Sequence, residues 1–543
     1  MNKSKTVVKQ AGILALAGIV VRIIGVLYRS PLTRMIGDLG NGYYSTAYNV
    51  YAMILLLSSY SIPTAISKLI SEKIALEEYG NARKIFKCAL IYISIIGSVV
   101  ATITFIAAPF ALSAKGAAMT LQVLCPTIFF SGLVGVMRGY FQAHNTTKYT
   151  SISQIVEQLL NAIVSVGAAY LFIKGLGANS SHVAKAGLGS AGSALGTGAG
   201  VLIALIYLVY KYFTDHGDFE ESKNVNENER IATTKEIFKS ILTIVTPIII
   251  ATCVYNLVTI IDMSLYYMIM NFRGLGHDAA TSLYGVYAGK YTVLMNVPVA
   301  LASAMSTASI PAISSSYALD NLKDVRANIE NSISVAMLVI IPCAVGLAVL
   351  SYPIMGVLFP QKATLSLAAT TLTIGSCATI FYGLSTISNG ILQAISHPNI
   401  PLKNASVALV THLIILTALL LLIPSANLHE FSLYSLAIGS ALYALQMCIT
   451  NQRALVKLVH FKYKWKRIFI LPLIAAVIMG VVAYGSYTVL FMFTHRVLIP
   501  LVVAIGLAII AYFVVILYLY KDHPDTIYNI PYMDKIASRF YKK

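Results

Sequence analysis

The stretch Val7–Gly37, VVKQAGILALAGIVVRIIGVLYRSPLTRMIG, points to the fold class. It is long enough to cross a bilayer, since about 20 apolar residues span a ~30 Å hydrocarbon core. Yet it carries Arg22, Arg29 and Arg34. Gly18, Arg22, Gly25 and Arg29 follow at spacings of four, three and four. At about 100° per residue they share one helical face. The helix therefore has a small and cationic stripe on an aliphatic body. From the apolar start at Ala11, Arg22 lies eleven residues in, about 16 Å at ~1.5 Å per residue. An arginine at that depth cannot snorkel to either surface, so it is expected to face a bundle interior or a water-filled cavity.

Composition agrees. The chain is 57% hydrophobic and 11% charged, with mean hydropathy +0.76, whereas soluble domains run near ~25% charged. Many of its 34 tyrosines sit at the ends of apolar runs, where interfacial anchors belong. The N-terminal segment does not read as a cleavable signal peptide: it is too long, contains Arg22 and lacks a small-x-small site. A formal charge of +18 invites a nucleic-acid reading, but the basic residues sit in short loops between apolar segments, so none is expected. Six cysteines are scattered without CxxC spacing and read as packing residues, with no metal site.

Apolar windows give fourteen candidate helices. The first two fall at 8–30 and 43–70, the seventh at 236–270, the eighth at 282–316 and the last two at 467–493 and 497–520. With the N-terminus inside, 29 of the 39 Lys and Arg are cytoplasmic and six are external; the other four are Arg22, Arg29, Arg34 and Lys290. That bias predicts a multi-pass membrane protein with an even number of spans and both termini cytoplasmic. The chain also repeats. Ser61-Ile-Pro-Thr-Ala-Ile-Ser67 returns as Ser309-Ile-Pro-Ala-Ile-Ser314, and Gly139-Tyr-Phe-Gln-Ala143 as Gly390-Ile-Leu-Gln-Ala394. Pro63 to Gly139 is 76 residues and Pro311 to Gly390 is 79. The expected architecture is all-α: two six-helix lobes in parallel repeat, 1–212 and 236–453, joined by a cytoplasmic linker, 213–235. A basic loop with helices 13 and 14 (454–520) and a cytoplasmic tail (521–543) follow.

Two glycine motifs look like nucleotide-binding loops. Gly187-Leu-Gly-Ser-Ala-Gly192 matches GxGxxG, but an apolar helix follows and small residues continue at Gly196 and Gly200, so it reads as close helix packing. Gly285–Lys290, GVYAGK, is one residue short of a phosphate-binding loop and lies at a membrane helix start. No ATPase is visible; transport would draw on the membrane potential, Na+ or H+, without a cofactor. Among intramembrane charges, Arg22, Arg29, Arg34 and Lys290 are candidate substrate-binding residues. Pro31 is expected to bend or end the first helix before Arg34. Asp262 and Asn256 are candidates for an ion pair or a coupling ion. Glu157 and Gln158 read as solvated or capping groups, Arg138 as a topology determinant and His412 as a core histidine. A cationic field with few acids suits an anionic substrate, and arginine forks suit phosphate or pyrophosphate.

Arg22-Ile-Ile-Gly25, Arg34-Met-Ile-Gly37, Ala47-Tyr-Asn-Val-Tyr51, Ile62-Pro-Thr-Ala-Ile-Ser67 and Arg138-Gly-Tyr-Phe-Gln142 carry a resemblance over essentially the whole chain. It resembles the polysaccharide-transporter branch of the multidrug/oligosaccharidyl-lipid/polysaccharide exporters, within it the stage V sporulation protein B group, and is similar to MviN-type lipid II flippases. The resemblance implies a non-enzymatic, alternating-access flippase for an undecaprenyl-pyrophosphate-linked cell-wall precursor, lipid II first, working beside cell-wall synthesis proteins and membrane lipids. Arg22 matches a cavity arginine of such flippases and Arg34 their arginine at the end of helix 1. Their middle arginine falls at Tyr28, with Arg29 one place on. Lys290 takes the place of an arginine early in helix 8; an aspartate after helix 1 is replaced near Tyr43, and a helix 2 arginine has no counterpart. The last two helices would form a groove for the polyprenyl tail. The alternatives are a flippase for another lipid-linked glycan (teichoic acid or capsule) and a cation-coupled drug exporter, which would want acids where helix 1 has arginines. A membrane glycosyltransferase would need acidic catalytic residues, and an assembly factor would leave buried arginines unexplained.

Overall fold

A glycine shapes the first helix. In the computed structural model α1 runs Asn2–Leu55 through Pro31, and its non-helical residue is Gly37, at φ 70° and ψ −178°. That backbone region is essentially closed to residues with a Cβ. The expectation of a helix end at Pro31 is therefore corrected: the helix runs on past the proline and breaks six residues later. Of the expected second span, 43–70, residues 43–55 lie on α1 and 62–70 on α2, Ile62–Ala75. The described residues are 2–56, 62–112, 114–144, 146–177, 180–215 and 230–521, except for the side chains at 2–16, 19, 64, 244–245, 247–255 and 307–308. Ser61 of the first repeat motif, residues 216–229 of the expected linker and the expected tail beyond Lys521 lie outside them.

Further helices follow in order: α3 Tyr79–Ala111, α4 Lys115–Ala143, α5 Thr147–Gly175, α6 His182–Asp215, α7 Thr234–Phe272 and α8 His277–Ala318, interrupted by a π turn at Tyr287–Tyr291. Then come α9 Leu322–Val349, the short α10 Ser351–Leu358, α11 Lys362–Ala394, α12 Asn399–Leu421, α13 Leu428–Val459, α14 Lys466–Thr494 and α15 Leu498–Leu519. No strand occurs among the described residues. Eleven helices among them are long and apolar enough to cross a membrane; the expected spans 8–30, 43–70 and 236–270 lie on α1, α2 and α7. Large apolar side chains such as Phe110, Phe213, Leu422 and Phe493 point outward, as lipid-facing residues do. The chain is an all-helical, multi-pass membrane protein.

Two compact units form, residues 1–289 and 290–543. In lipid the hydrophobic effect gives little drive between helices, so close van der Waals contact must supply it, and small residues allow that. In the first unit α6 lies on α5 through Gly192, Gly196 and Gly200. A Cβ at these positions would come within 2.8 Å of the Ala168 carbonyl oxygen, 2.1 Å of Ser165 Oγ and 2.4 Å of the Glu157 carbonyl oxygen. The GxGxxG run is thus a helix-packing stripe. The GVYAGK run is another: a Cβ on Gly285 would sit 2.0 Å from the Asp38 carbonyl oxygen, and one on Gly42 2.0 Å from that of Thr281. The start of α8 therefore crosses α1 backbone to backbone.

The chain entering α7 is pinned to α3. Buried Asn81 donates to the Arg230 carbonyl (2.9 Å) and accepts from the Ala232 amide (2.8 Å), while Lys84 donates to the Ala232 carbonyl (2.7 Å). Thr233 and Glu236 then close a capping box at the start of α7. These contacts hold α7 in the first compact unit, so compactness divides the chain later than the sequence repeat does. The glycines of the repeat motifs make close helix contacts in their own units. A Cβ on Gly139 would lie 2.7 Å from the Pro63 carbonyl oxygen, and one on Gly390 would lie 2.0 Å from Ser306 Oγ and 3.8 Å from Ile310 Cδ1. Each glycine lets its helix approach the helix that carries the Ile-Pro motif.

In the second unit Asn451 is fully buried, accepting from Asn404 (2.8 Å) and donating to Asn389 (2.7 Å), which ties α11, α12 and α13 together. Glu330 on α9 takes Arg467 (3.1 Å) and Lys464 (2.8 Å) at the entry to α14. Tyr512 on α15 donates to the Leu338 carbonyl on α9 (2.7 Å).

Candidate functional site

The break at Gly37 brings parts of α1 together that a straight helix would hold apart. Tyr44 follows Arg29 by fifteen residues, about 22 Å along a continuous axis at ~1.5 Å per residue. Nevertheless, the Arg29 guanidinium is in electrostatic contact with Tyr44 and Tyr48, and it hydrogen-bonds Tyr28. Tyr44 and Tyr48 stack at 5.7 Å and 17°. Tyr44 also bonds Thr197 on α6 (3.1 Å), and Tyr51 bonds Ser131 on α4 (3.3 Å). A phenol array of this kind offers a cation hydroxyl oxygens without neutralising it.

An acid beside this array is already engaged. Glu157 on α5 is in electrostatic reach of Tyr48 and Tyr51. Its Oε2 lies 2.7 Å from Arg138 on α4, whose Nε donates to Ser153 at 3.0 Å. Glu157 and Arg138 therefore form a partly buried pair, a partnership the sequence reading did not foresee. The stripe on α1 faces the same wall: a Cβ on Gly25 would come 3.3 Å from Gln158 Nε2. Along the stripe exposure changes. Arg29 is half-buried and Arg22, about two turns earlier, is exposed, as is Arg34.

A second polar seam joins α1 to α7 and α8. Tyr43 donates to Asp278 (3.1 Å), Thr46 bonds Tyr267 (2.9 Å) and Asn49 donates to the Tyr284 hydroxyl (2.9 Å). Tyr267 stacks on His277 at 5.7 Å and 8°. Asp262 is half-buried in electrostatic reach of Tyr284, whereas Asn256 is exposed. Six residues apart on α7, the two differ in surroundings as they differ in face.

Lys290 belongs to the second unit. It sits in the π turn Tyr287–Tyr291, is fully buried, and donates to Thr364 Oγ1 at 2.9 Å. A π turn in an otherwise α-helical span is often a functional feature, and a buried ammonium must keep its hydrogen bonds. His412 is a buried core residue bonding the Gly439 carbonyl at 3.1 Å. No cluster of three His, Cys, Asp or Glu fit for a metal occurs among the described residues.

The tyrosines around Arg29 escaped the sequence reading, which weighed charge alone. Their signal was there: Tyr44, Tyr48 and Tyr51 follow at spacings of four and three, one face of a helix.

Three kinds of likeness converge on one family. The model described as polysaccharide biosynthesis protein matches residues 7–317, and the MatE model matches 247–417. The lipid II flippase MurJ of Bacillus subtilis is 23% identical over 86% of this chain and 86% of its own length. Stage V sporulation protein B of the same organism is 24% identical over 62% of this chain and 63% of its own. In fold, the chain is like a lipid II flippase MurJ solved in an inward closed conformation, with a TM-score of 0.69 at 15% identity, covering 94% of this chain and 99% of that one. The chain belongs to the polysaccharide biosynthesis protein family.

Proposed function

We propose that the chain is a flippase for an undecaprenyl-pyrophosphate-linked cell-wall precursor, lipid II, carrying it from the inner to the outer leaflet with both termini cytoplasmic. The observation that carries this reading is the stripe on α1. Arg29 is held among tyrosines and Arg22 is exposed on the same face, while neighbouring Glu157 is engaged by Arg138. An arginine held among phenols keeps its charge for a ligand, and guanidinium forks match pyrophosphate oxygens. The relatives named as flippases, MurJ among them, support the substrate class. Arg34 and Lys290 are further proposed contacts, and Asp262 with Asn256 the proposed place for coupling to Na+, H+ or the membrane potential. The head group would cross by alternating access, driven by a difference in affinity between two states. The family description, polysaccharide biosynthesis, is broader than lipid II and favours a second reading, the flipping of another lipid-linked glycan.

Depletion and complementation test the proposal. In cells depleted of their own lipid II flippase, the wild-type chain should restore lipid II on the outer face, and Arg22→Ala should fail at normal membrane level. Failure of the wild type refutes the substrate; full activity of Arg22→Ala refutes the site.

A further inference from the structure

The segment between α13 and α14 reads Phe461-Lys-Tyr-Lys-Trp-Lys-Arg467, aromatic and basic residues in alternation. α13 stops at His460, which adopts the left-handed conformation at φ 53°, and the residues to Lys464 are non-helical. The aromatic and basic residues of the stretch differ in their surroundings. Phe461 is buried and meets Tyr463 at 5.7 Å; Tyr463 and Trp465 each meet Phe469, at 5.3 and 5.0 Å. Lys462, Lys464 and Lys466 are exposed. Glu330 fixes the segment by holding Lys464 and Arg467. Lys462 and Lys466 have no ion-pair partner among the described residues. Arg453 and Lys457, one turn apart on the end of α13, are exposed as well.

Trp465 is the chain's one tryptophan and is 64% exposed, although its ring edge is packed on the cluster. The apolar helix α14 begins at the next residue, so this segment stands where the chain enters the hydrocarbon. An amphipathic ring beside anchored cations at that level suits a headgroup layer. We propose that this segment binds anionic phospholipid headgroups: Lys462 and Lys466 pair with lipid phosphates, and the Trp465 indole lies among the headgroups. Lys464 stays on Glu330 and keeps the ladder in register. The proposal does not depend on what the chain transports.

The single tryptophan makes the test direct. The full chain is placed in phosphatidylcholine nanodiscs containing an equal fraction of either brominated phosphatidylglycerol or brominated phosphatidylcholine, and Trp465 emission is excited beyond the tyrosine absorption. Each lysine at an anionic surface is worth about a fivefold preference. The wild type should therefore be quenched by the anionic lipid at a several-fold lower mole fraction than by the zwitterionic one, and high salt should shrink the difference. Lys462→Gln/Lys466→Gln should abolish it at unchanged helical circular dichroism. Equal quenching of the wild type by both lipids overturns the proposal, as does a preference that survives in the double variant. A preference erased by inorganic phosphate in solution would assign the site to a soluble anion and overturn it too. If the double variant does not fold, the wild-type salt series decides, and a salt-insensitive preference is the contrary result.

Discussion

Replacing Gly37 by alanine isolates what the break in α1 does. A Cβ at this position meets nothing closer than His182 Nε2 at 3.7 Å, so there is room for it. The cost is therefore conformational. At φ 70° and ψ −178° a residue with a Cβ is strained by about 1–3 kcal/mol. The variant either carries that strain or relieves it by straightening toward a helix. Straightening would move Tyr44 about 22 Å along the axis from Arg29 and dissolve the tyrosine array. Gly18→Ala is the control: nothing lies within 4 Å of its Cβ, and alanine in a regular helix gains up to about 1 kcal/mol over glycine. Thermal unfolding in one detergent, read by circular dichroism and by tyrosine absorbance, should show Gly37→Ala melting below wild type and Gly18→Ala at or above it. Gly37→Ala should also complement poorly. If it melts and complements like wild type, the break is not what assembles the site, and the reasoning from Gly37 to Arg29 fails.

The Arg138–Glu157 pair is partly buried, at 16% and 29% side-chain exposure. Glu157→Gln should lose about 1–3 kcal/mol, and Arg138→Met/Glu157→Leu should recover much of it in the same melts. Gly196→Val forces carbon to within 2.1 Å of Ser165 Oγ; it should fall at the upper end of the ~1–3 kcal/mol range for overpacking and lower the yield of folded protein. On the loop before α3, the hydrogen bond from Lys73 holds the Glu78 carboxyl below its usual 4.5. Its contribution is complete above that value and is lost as pH falls through the lowered one, so an acid titration of melting temperature should flatten there in Glu78→Gln.

The fold class could be read from the sequence because apolar length is a local signal. Gly139 and Gly390, the glycines of the repeated motif, each lie against the helix that carries an Ile-Pro motif. The break in α1 was placed wrongly because proline is the stronger sequence signal for a helix end. In a membrane span its missing hydrogen bond is tolerated, whereas the backbone at Gly37 is visible only in three dimensions. The site was half legible. Arg22, Arg29 and Arg34 announce themselves as charges out of place. The tyrosines of the same helix do not, since interfacial tyrosine is common in such proteins, and Arg29 reaches them only across the break. The Arg138–Glu157 pair was hidden because its partners lie on different helices, nineteen residues apart.

The central claim is that the arginines of α1 carry an anionic lipid-linked head group across the membrane. The direct measurement is lipid II translocation in proteoliposomes holding the purified chain, wild type against Arg22→Ala. Losing a charge-assisted contact of ~1.5–3 kcal/mol should slow transfer about tenfold to a hundredfold. Transfer by Arg22→Ala at the wild-type rate, or none by the wild type, would contradict it.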